Sequence, residues 1–144
     1  MASFFKFHQF PEDLCKKVHD LDSDTLKIYL TNTAPDAAAD AVKADLAEIS
    51  GGNGYTAGGA TVASVTCEQT TGTVKVVSGG SDPTWTASGG TIGPFRYAVL
   101  YNDTPTSPAD PLIGAWDYGS SITLQIGETF TVDLDGTNGM FTLA

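Results

Sequence analysis

The sequence has few residues of the kinds that carry catalytic or metal chemistry. It contains two cysteines and two histidines in 144 residues. Two cysteines do not make the disulfide framework of a small secreted domain, so we expect Cys15 and Cys67 to be free thiols. Cys15 and His19 have the spacing of two zinc ligands on one helix face, but no second ligand pair stands nearby in sequence. The residue inventory therefore predicts no catalytic site, no cofactor and no metal site, and it favours a protein that is not an enzyme.

Positive charge is also scarce. Seven Lys and Arg residues stand against 17 Asp and Glu residues, which gives a net charge of -10. Such a surface repels the phosphates of nucleic acids and anionic membranes, so we expect neither as a partner. No apolar run is long enough to cross a bilayer. Residues 1–6 lack the basic start and apolar core of a signal peptide, so we expect the protein to be made and folded in a cytoplasm.

Short β-type runs occupy most of the chain, and Gly, Asn, Asp, Pro and Ser separate them. Segment 95–101 is apolar on both faces, which is typical of a central strand. In segment 25–31, Lys27 and Tyr29 alternate with apolar residues, so the pattern predicts a strand with one face in water. Further strands are predicted at 61–67, 72–77, 82–87, 112–116, 122–126, 130–134 and 140–143. The separators leave no room for crossover helices, so the sheets should be antiparallel.

Two segments show helical spacing. Apolar residues recur every three or four positions from Phe7 to Leu21, which predicts an amphipathic helix that begins near Pro11. Val42 and Leu46 have the same spacing, which predicts a second short helix over 37–49.

These elements predict one domain over residues 1–144. We expect a mainly β, antiparallel β-sandwich or jelly-roll-like fold with a short N-terminal helix and a second short helix. Residues 1–22 would form an aromatic N-terminal arm with its helix, and residues 23–144 would form the β-sandwich.

Aromatic side chains and one arginine are the candidate contacts with other molecules. Four phenylalanines crowd the first ten residues, and they either close one end of the sheets or dock on a neighbouring subunit. Arg96 is the one charged residue in the central strand, so it pairs with a carboxylate, extends to water from a sheet edge, or reaches across a subunit contact. Trp116 is either a further contact residue or part of the sheet core. The candidate interface residues are Phe4, Phe5, Phe7, Phe10, Trp85 and Arg96.

One acidic cluster has the alternating pattern of a calcium loop. Asp20, Asp22 and Asp24 occupy every second position. Thr25 and Thr31 stand where such a loop needs its glycine and its bidentate glutamate, so we predict a solvated turn without calcium.

Seven segments, spread over nearly the whole chain, combine short β-type runs with turn residues. They are FFKFHQF at 4–10, SDTLK at 23–27, LTNTAP at 30–35, GNGYTAGG at 52–59, GPFRYAVLYNDT at 93–104, PLIG at 111–114 and DYG at 117–119. In these segments the chain resembles a family of small structural proteins encoded by tailed bacteriophages and prophages. The resemblance implies a component of the virion, and no catalytic residues are associated with these motifs.

Within that resemblance we favour a capsid decoration (cement) protein. It would bind the outside of the major capsid shell and stabilise it by non-covalent contacts. Its partners would be the major capsid protein and further copies of itself, as a dimer or trimer, and its location would be the capsid surface. The alternative is a tail, head-fibre or baseplate component that adheres to host glycans, with aromatic side chains as stacking platforms. The platform candidates are Tyr55, Trp85, Tyr101 and Tyr118.

Overall fold

The computed structural model describes residues 2–143, and its fold is mainly β. The elements in chain order are β1 Ser3–Lys6, α1 Gln9–Cys15, β2 Leu26–Thr31, β3 Ala60–Thr61, β4 Val65–Thr70, β5 Thr73–Ser78, β6 Thr84–Thr86, β7 Ile92–Asn102, β8 Leu112–Leu124, β9 Thr129–Thr131 and β10 Phe141–Leu143. A short 3₁₀ helix spans Lys43–Asp45. All strand pairings in the described residues are antiparallel, which confirms the predicted fold class.

The strands form one large sheet and two small ones. The large sheet has the order β1-β8-β7-β2-β3, and the small sheets have the orders β10-β5-β4 and β6-β9. One hydrophobic cluster joins Leu100 of β7, Val76 of β5 and Trp85 of β6, so both small sheets pack on the same face of the large sheet. The result is a sandwich-like arrangement with β7 in the middle of the large sheet.

The second face of the large sheet is covered as well. Tyr29, Val99 and Tyr101 on this face are buried together with Leu46, which belongs to the long connection between β2 and β3. The prediction that one face of β2 lies in water is therefore wrong, because residues 32–59 cross that face and cover it.

The predicted second helix over 37–49 is wrong. The segment contains turns, the short 3₁₀ helix and an isolated β-bridge between Val42 and Pro111. The carboxylates of Asp36 and Asp45 each accept hydrogen bonds from two amides of this segment. Such local bonds from the backbone to side chains compete with helical hydrogen bonds. In this segment they replace the helix that the apolar spacing predicts.

The N-terminal helix is real but shorter than predicted. α1 ends at Cys15, and Lys17 follows with a φ of 61°, which no helix accommodates. Val18 and Leu21 therefore lie beyond the helix. No helix within residues 2–143 has the length and apolar character that a membrane crossing requires.

The N-terminal arm is not a separate unit. β1 pairs with β8 at the edge of the large sheet, from Ser3 opposite Asp117 to Lys6 opposite Gly114. The predicted arm over residues 1–22 thus contributes a strand to the same sheet as residues 23–144, and residues 1 and 144 of those ranges lie outside the described residues. Side chains alternate between the two faces of a strand, so β1 at this edge places Phe4 against one hydrophobic cluster and Phe5 against the other. The packing of both rings stabilises the position of β1 beside β8.

Two strand boundaries also differ from the prediction. Segment 112–116 and the first part of segment 122–126 belong to the single strand β8, which ends at Leu124. Segment 61–67 is interrupted near Ser64, which has a φ of 52°, and its two ends belong to β3 and β4. The predicted hairpin between β4 and β5 is confirmed, with Thr71 and Gly72 at its tip.

Candidate functional site

Three of the candidate interface residues belong to the protein's own core. Phe7 and Phe10 are fully buried, and Trp85 is 4% exposed. Phe10 packs edge-on against Phe141, with ring centroids 5.7 Å apart. The structure thus corrects the prediction for these three side chains, because they have no free surface to offer a neighbour. The burial of Trp85 could have been predicted from its neighbours. Trp85 stands between two threonines in a strand, and side chains alternate along a strand, so exposed Thr84 and Thr86 place Trp85 on the inner face.

Phe4 and Phe5 remain partly accessible on β1, at the edge of the large sheet. The Phe4 ring lies 5.0 Å from the Trp116 ring and 5.5 Å from the Phe141 ring. Trp116 packs against the core and is half-buried, so part of its ring remains accessible.

Arg96 pairs with a carboxylate, which is one of the roles predicted for it. Its Nε donates to Oδ1 of Asp117 at 2.8 Å, and its Nη2 donates to Oδ2 at 2.9 Å. The hydrogen bonds from Arg96 hold the pKa of Asp117 below its ordinary value. Oδ1 of Asp117 also accepts the amide N–H of Gly119 at 2.8 Å.

This ion pair lies at the base of a protruding segment of β8. Residues 118–121 of β8 stand opposite the single residue Arg96 of β7, where the pairing register shifts. The far end of the segment is also held, because Ser121 Oγ donates to Asn32 Oδ1 at 2.8 Å. Tyr118 projects from this segment and is 49% exposed.

An open cleft lies beside the ion pair, between the large sheet and β9. Its volume is about 340 Å³. It is lined by Ala2, Arg96, Ala98, Trp116, Tyr118, Phe130, Thr131, Val132 and Asp133. We call it the aromatic cleft.

The aromatic walls of the cleft are fixed by contacts with neighbouring rings. Phe130 packs edge-on against Phe95 at 4.9 Å and against Tyr118 at 5.8 Å. Trp116 is backed by Phe4. The residues of the cleft come from three separate stretches of chain besides Ala2, and no local sequence pattern marks them as neighbours. The sequence identifies Tyr118 as a stacking candidate and Arg96 as a contact candidate, but no pattern in it places the two side chains together.

The sugar-stacking platform proposed from the sequence does not form. Tyr55, Trp85 and Tyr101 are each less than 5% exposed. Tyr101 Oη donates to the carbonyl oxygen of Gly58 at 2.7 Å. Burial raises the pKa of the Tyr29, Tyr55 and Tyr101 hydroxyls well above the ordinary tyrosine value. These tyrosines stabilise the fold, and Tyr118 is the one member of the predicted set that is exposed.

A polar cluster ties the 32–59 connection to the large sheet. The carboxylate of Glu48 accepts hydrogen bonds from Lys43 Nζ at 2.7 Å, from Tyr55 Oη at 2.7 Å and from the amide of Gly58 at 2.6 Å. Tyr55 Oη in turn accepts the amide N–H of Leu30 in β2 at 3.0 Å. We call Lys43, Glu48, Tyr55 and Gly58 the Glu48 cluster. Its members satisfy one another, so its role is structural.

These bonds decide the charge state of Glu48. Burial alone would raise the pKa of its carboxyl, but the hydrogen bonds from Lys43, Tyr55 and Gly58 outweigh burial and lower the pKa below its ordinary value. The carboxylate is therefore ionised in the folded protein at neutral pH. Lys43 also lies over the Tyr29 ring, 4.9 Å from its centroid.

A second cleft of about 570 Å³ lies beyond the end of α1 and includes His19 and Cys67 in its lining. His19 Nδ1 accepts a hydrogen bond from Asn102 Nδ2 at 3.0 Å, and burial lowers the pKa of the imidazole although Asp13 and Asp24 oppose the shift. Nε2 of His19 and Oδ2 of Asp13 are buried without a hydrogen-bond partner in the described part of the chain.

The cysteines and acidic groups near this cleft form no metal centre. Cys15 and Cys67 are free thiols, as predicted. Cys15 is the last residue of α1, so His19 does not share a helix face with it. Among residues 2–143, no three or more His, Cys, Asp or Glu side chains are arranged to hold a metal ion. The Asp20 carboxylate instead accepts the Ser23 hydroxyl at 2.7 Å within a turn.

Comparisons with known proteins give the chain no family. No protein-family model, no curated protein and no solved structure is significantly similar to it. The resemblance to structural proteins of tailed phages therefore stays a prediction from the sequence motifs.

Proposed function

We propose that this protein is a capsid decoration protein of a tailed bacteriophage or prophage. It binds the outside of the major capsid shell, stabilises the shell by non-covalent contacts and performs no catalysis. The observation that carries the proposal is the outer edge of β1, along which no strand of residues 2–143 pairs, although just beyond it the amide of His8 donates to the carbonyl oxygen of Ala37. This strand is the last of the large sheet, and it pairs with β8 on its inner side.

The outer edge of β1 offers backbone groups to a partner strand. The amide N–H of Phe7 donates to the carbonyl oxygen of Ile113, which lies on the β8 side. Alternation along a strand then turns the amides of Phe4 and Lys6 outward. An edge with unpaired amides and carbonyls is a template for the addition of another strand.

The side chains of β1 suit the same use. Phe4 and Phe5 lie on opposite faces of the sheet, and both are half-buried. A strand added along the edge of β1 covers part of both rings, and buried apolar surface stabilises a complex by roughly 25 cal/mol per Å² before ordering costs are subtracted. Docking of this kind needs shape and backbone hydrogen bonds, and it needs no reactive group.

Self-association belongs to the proposal. A shell presents the same docking surface many times in a symmetric arrangement, and copies bound side by side gain further contacts. We expect dimers or trimers on the shell.

A proline at position 6 tests the docking edge. Lys6 is exposed, so its replacement disturbs little else. Lys6→Pro removes the outward amide N–H and blocks the approach of a partner strand, whereas Lys6→Ala keeps the N–H and removes the charge. We expect the wild type and Lys6→Ala to co-sediment with shells assembled from the major capsid protein. We expect Lys6→Pro, with an unchanged circular dichroism spectrum, to bind at least about tenfold more weakly.

The two claims fail separately in this experiment. A wild-type protein that does not sediment with the shells contradicts the decoration function. If the wild type binds the shells and Lys6→Pro binds them equally tightly, the decoration function stands but β1 is not the docking edge.

A further inference from the structure

The aromatic cleft combines ring faces with polar groups. Tyr118 and Trp116 present aromatic surface, and both are partly accessible. Asp133 lines the cleft and is exposed. Arg96 uses Nε and one N–H of Nη2 for Asp117, which leaves three N–H groups, two on Nη1 and one on Nη2, for another acceptor. The cleft therefore offers stacking surface, a hydrogen-bond acceptor and a hydrogen-bond donor.

The polar groups of the cleft select against anions and against purely apolar ligands. An anion would meet the Asp133 carboxylate and a protein of net charge -10. A purely apolar ligand would remove water from Arg96 and Asp133 without replacing its hydrogen bonds. A neutral ligand with both an apolar face and hydroxyl groups avoids both penalties. Asp117 pairs with the guanidinium of Arg96, so a cation is the competing class of ligand, and argininamide represents it in the test below.

A pyranose ring has these properties. Its C–H face packs on aromatic rings, and its hydroxyls donate to carboxylates and accept from guanidinium groups. The volume of about 340 Å³ lies within the usual range for small-molecule sites and suits one or two such rings.

The cleft is also preorganised. Phe95 backs Phe130, Phe4 backs Trp116, and the Arg96–Asp117 ion pair fixes the base of the segment that carries Tyr118. A site whose walls are already ordered loses little entropy when a ligand binds.

We propose that the aromatic cleft is a binding site for a neutral sugar ring, which stacks on Tyr118 and Trp116 and hydrogen-bonds to Asp133 and Arg96. This goes beyond shell docking, because the recognition side chains lie on β7, β8 and the segment after β9. A decoration protein with such a site would give the particle a weak affinity for glycans.

Saturation-transfer NMR with defined sugars tests the proposal. The probes are lactose, maltotriose and the trimer of N-acetylglucosamine at millimolar concentration, with sialic acid and argininamide as charged comparisons. We expect saturation transfer to the ring protons of at least one neutral sugar and weaker transfer to both charged probes. Tyr118→Ala should bind that sugar about tenfold more weakly, and Tyr118→Phe should retain most of the affinity because it keeps the ring.

Ile126 supplies the matched control. Among residues 2–143 it is the other large exposed hydrophobic residue besides Tyr118, at 68% exposure, and it lies outside the cleft. Ile126→Ala should bind the sugar as the wild type does. The proposal is overturned if no neutral sugar shows transfer, if Tyr118→Ala binds as well as Ile126→Ala does, or if argininamide is preferred over every neutral sugar.

Discussion

Replacement of Gly59 by alanine is expected to lower the free energy of unfolding by at least about 4 kcal/mol, or to prevent folding. Gly59 has a φ of 80°, and a Cβ at this position would lie 1.9 Å from the carbonyl oxygen of Ile28 and 2.8 Å from the Cα of Tyr29. Both atoms belong to the backbone of β2, which is held between β3 and β7 and cannot move aside. The substitution would therefore force the end of the 32–59 connection away from the sheet that it covers.

Gly72→Ala separates this clash from backbone strain. Gly72 has a similar φ of 84°, but a Cβ there would meet nothing within 4 Å. We expect Gly72→Ala to cost about 1 kcal/mol, which is the strain of an alanine in left-handed geometry. Urea denaturation measures the free energy of unfolding of both variants. If Gly59→Ala and Gly72→Ala lose equal stability, the close approach of Gly59 to the backbone of β2 is wrong.

Glu48→Gln is expected to lower the free energy of unfolding by about 2 to 3 kcal/mol at pH 7. The Glu48 side chain is 13% exposed and that of its partner Lys43 is 22% exposed, so water cannot fully replace the lost contacts. The amide of glutamine removes the charge and leaves three donors competing for one good acceptor oxygen.

The effect of Glu48→Gln should depend on pH. The folded protein lowers the pKa of Glu48, so the carboxylate contributes stability fully above its unfolded value of about 4.3 and loses that contribution as the pH falls through the folded pKa. The difference in unfolding free energy between wild type and variant should therefore narrow below about pH 4.3.

Glu12→Gln is the matched control for this variant. It removes the same charge from a protein of net charge -10, but Glu12 pairs with Lys16 on the open surface. We expect no measurable change, because exposed ion pairs contribute little. If Glu12→Gln and Glu48→Gln lose equal stability across the pH range, the Glu48 cluster does not hold the connection in place.

The strands were predictable where one pattern dominated. The alternation in β5 and the doubly apolar run of β7 both led to correct strands. The prediction of a helix over 37–49 was wrong because aspartates of this region accept hydrogen bonds from nearby amides and Val42 forms a β-bridge with Pro111. The spacing of apolar residues shows neither interaction. Leu46 of the same segment packs with Tyr29 of β2. The wrong helix therefore led to a second error, the prediction that one face of β2 is exposed to water.

The candidate site was less predictable than the fold. A carboxylate partner was one of the alternatives predicted for Arg96, but nothing in the sequence identified Asp117 as that partner, because the pairing depends on the register of β7 and β8. The sequence did not separate the two tryptophans. Trp85 is core, whereas Trp116 packs against the core and lines the aromatic cleft, since the position of each depends on how the small sheets pack on the large one.

The number of copies of this protein in purified virions tests the central proposal most directly. A decoration protein occupies equivalent positions over the whole shell, so quantitative mass spectrometry should find it at a copy number comparable with that of the major capsid protein. A brief protease treatment of intact particles should cleave it before the shell protein. Virions that contain a handful of copies would indicate a tail or fibre part, and virions that lack the protein would contradict a structural role in the particle.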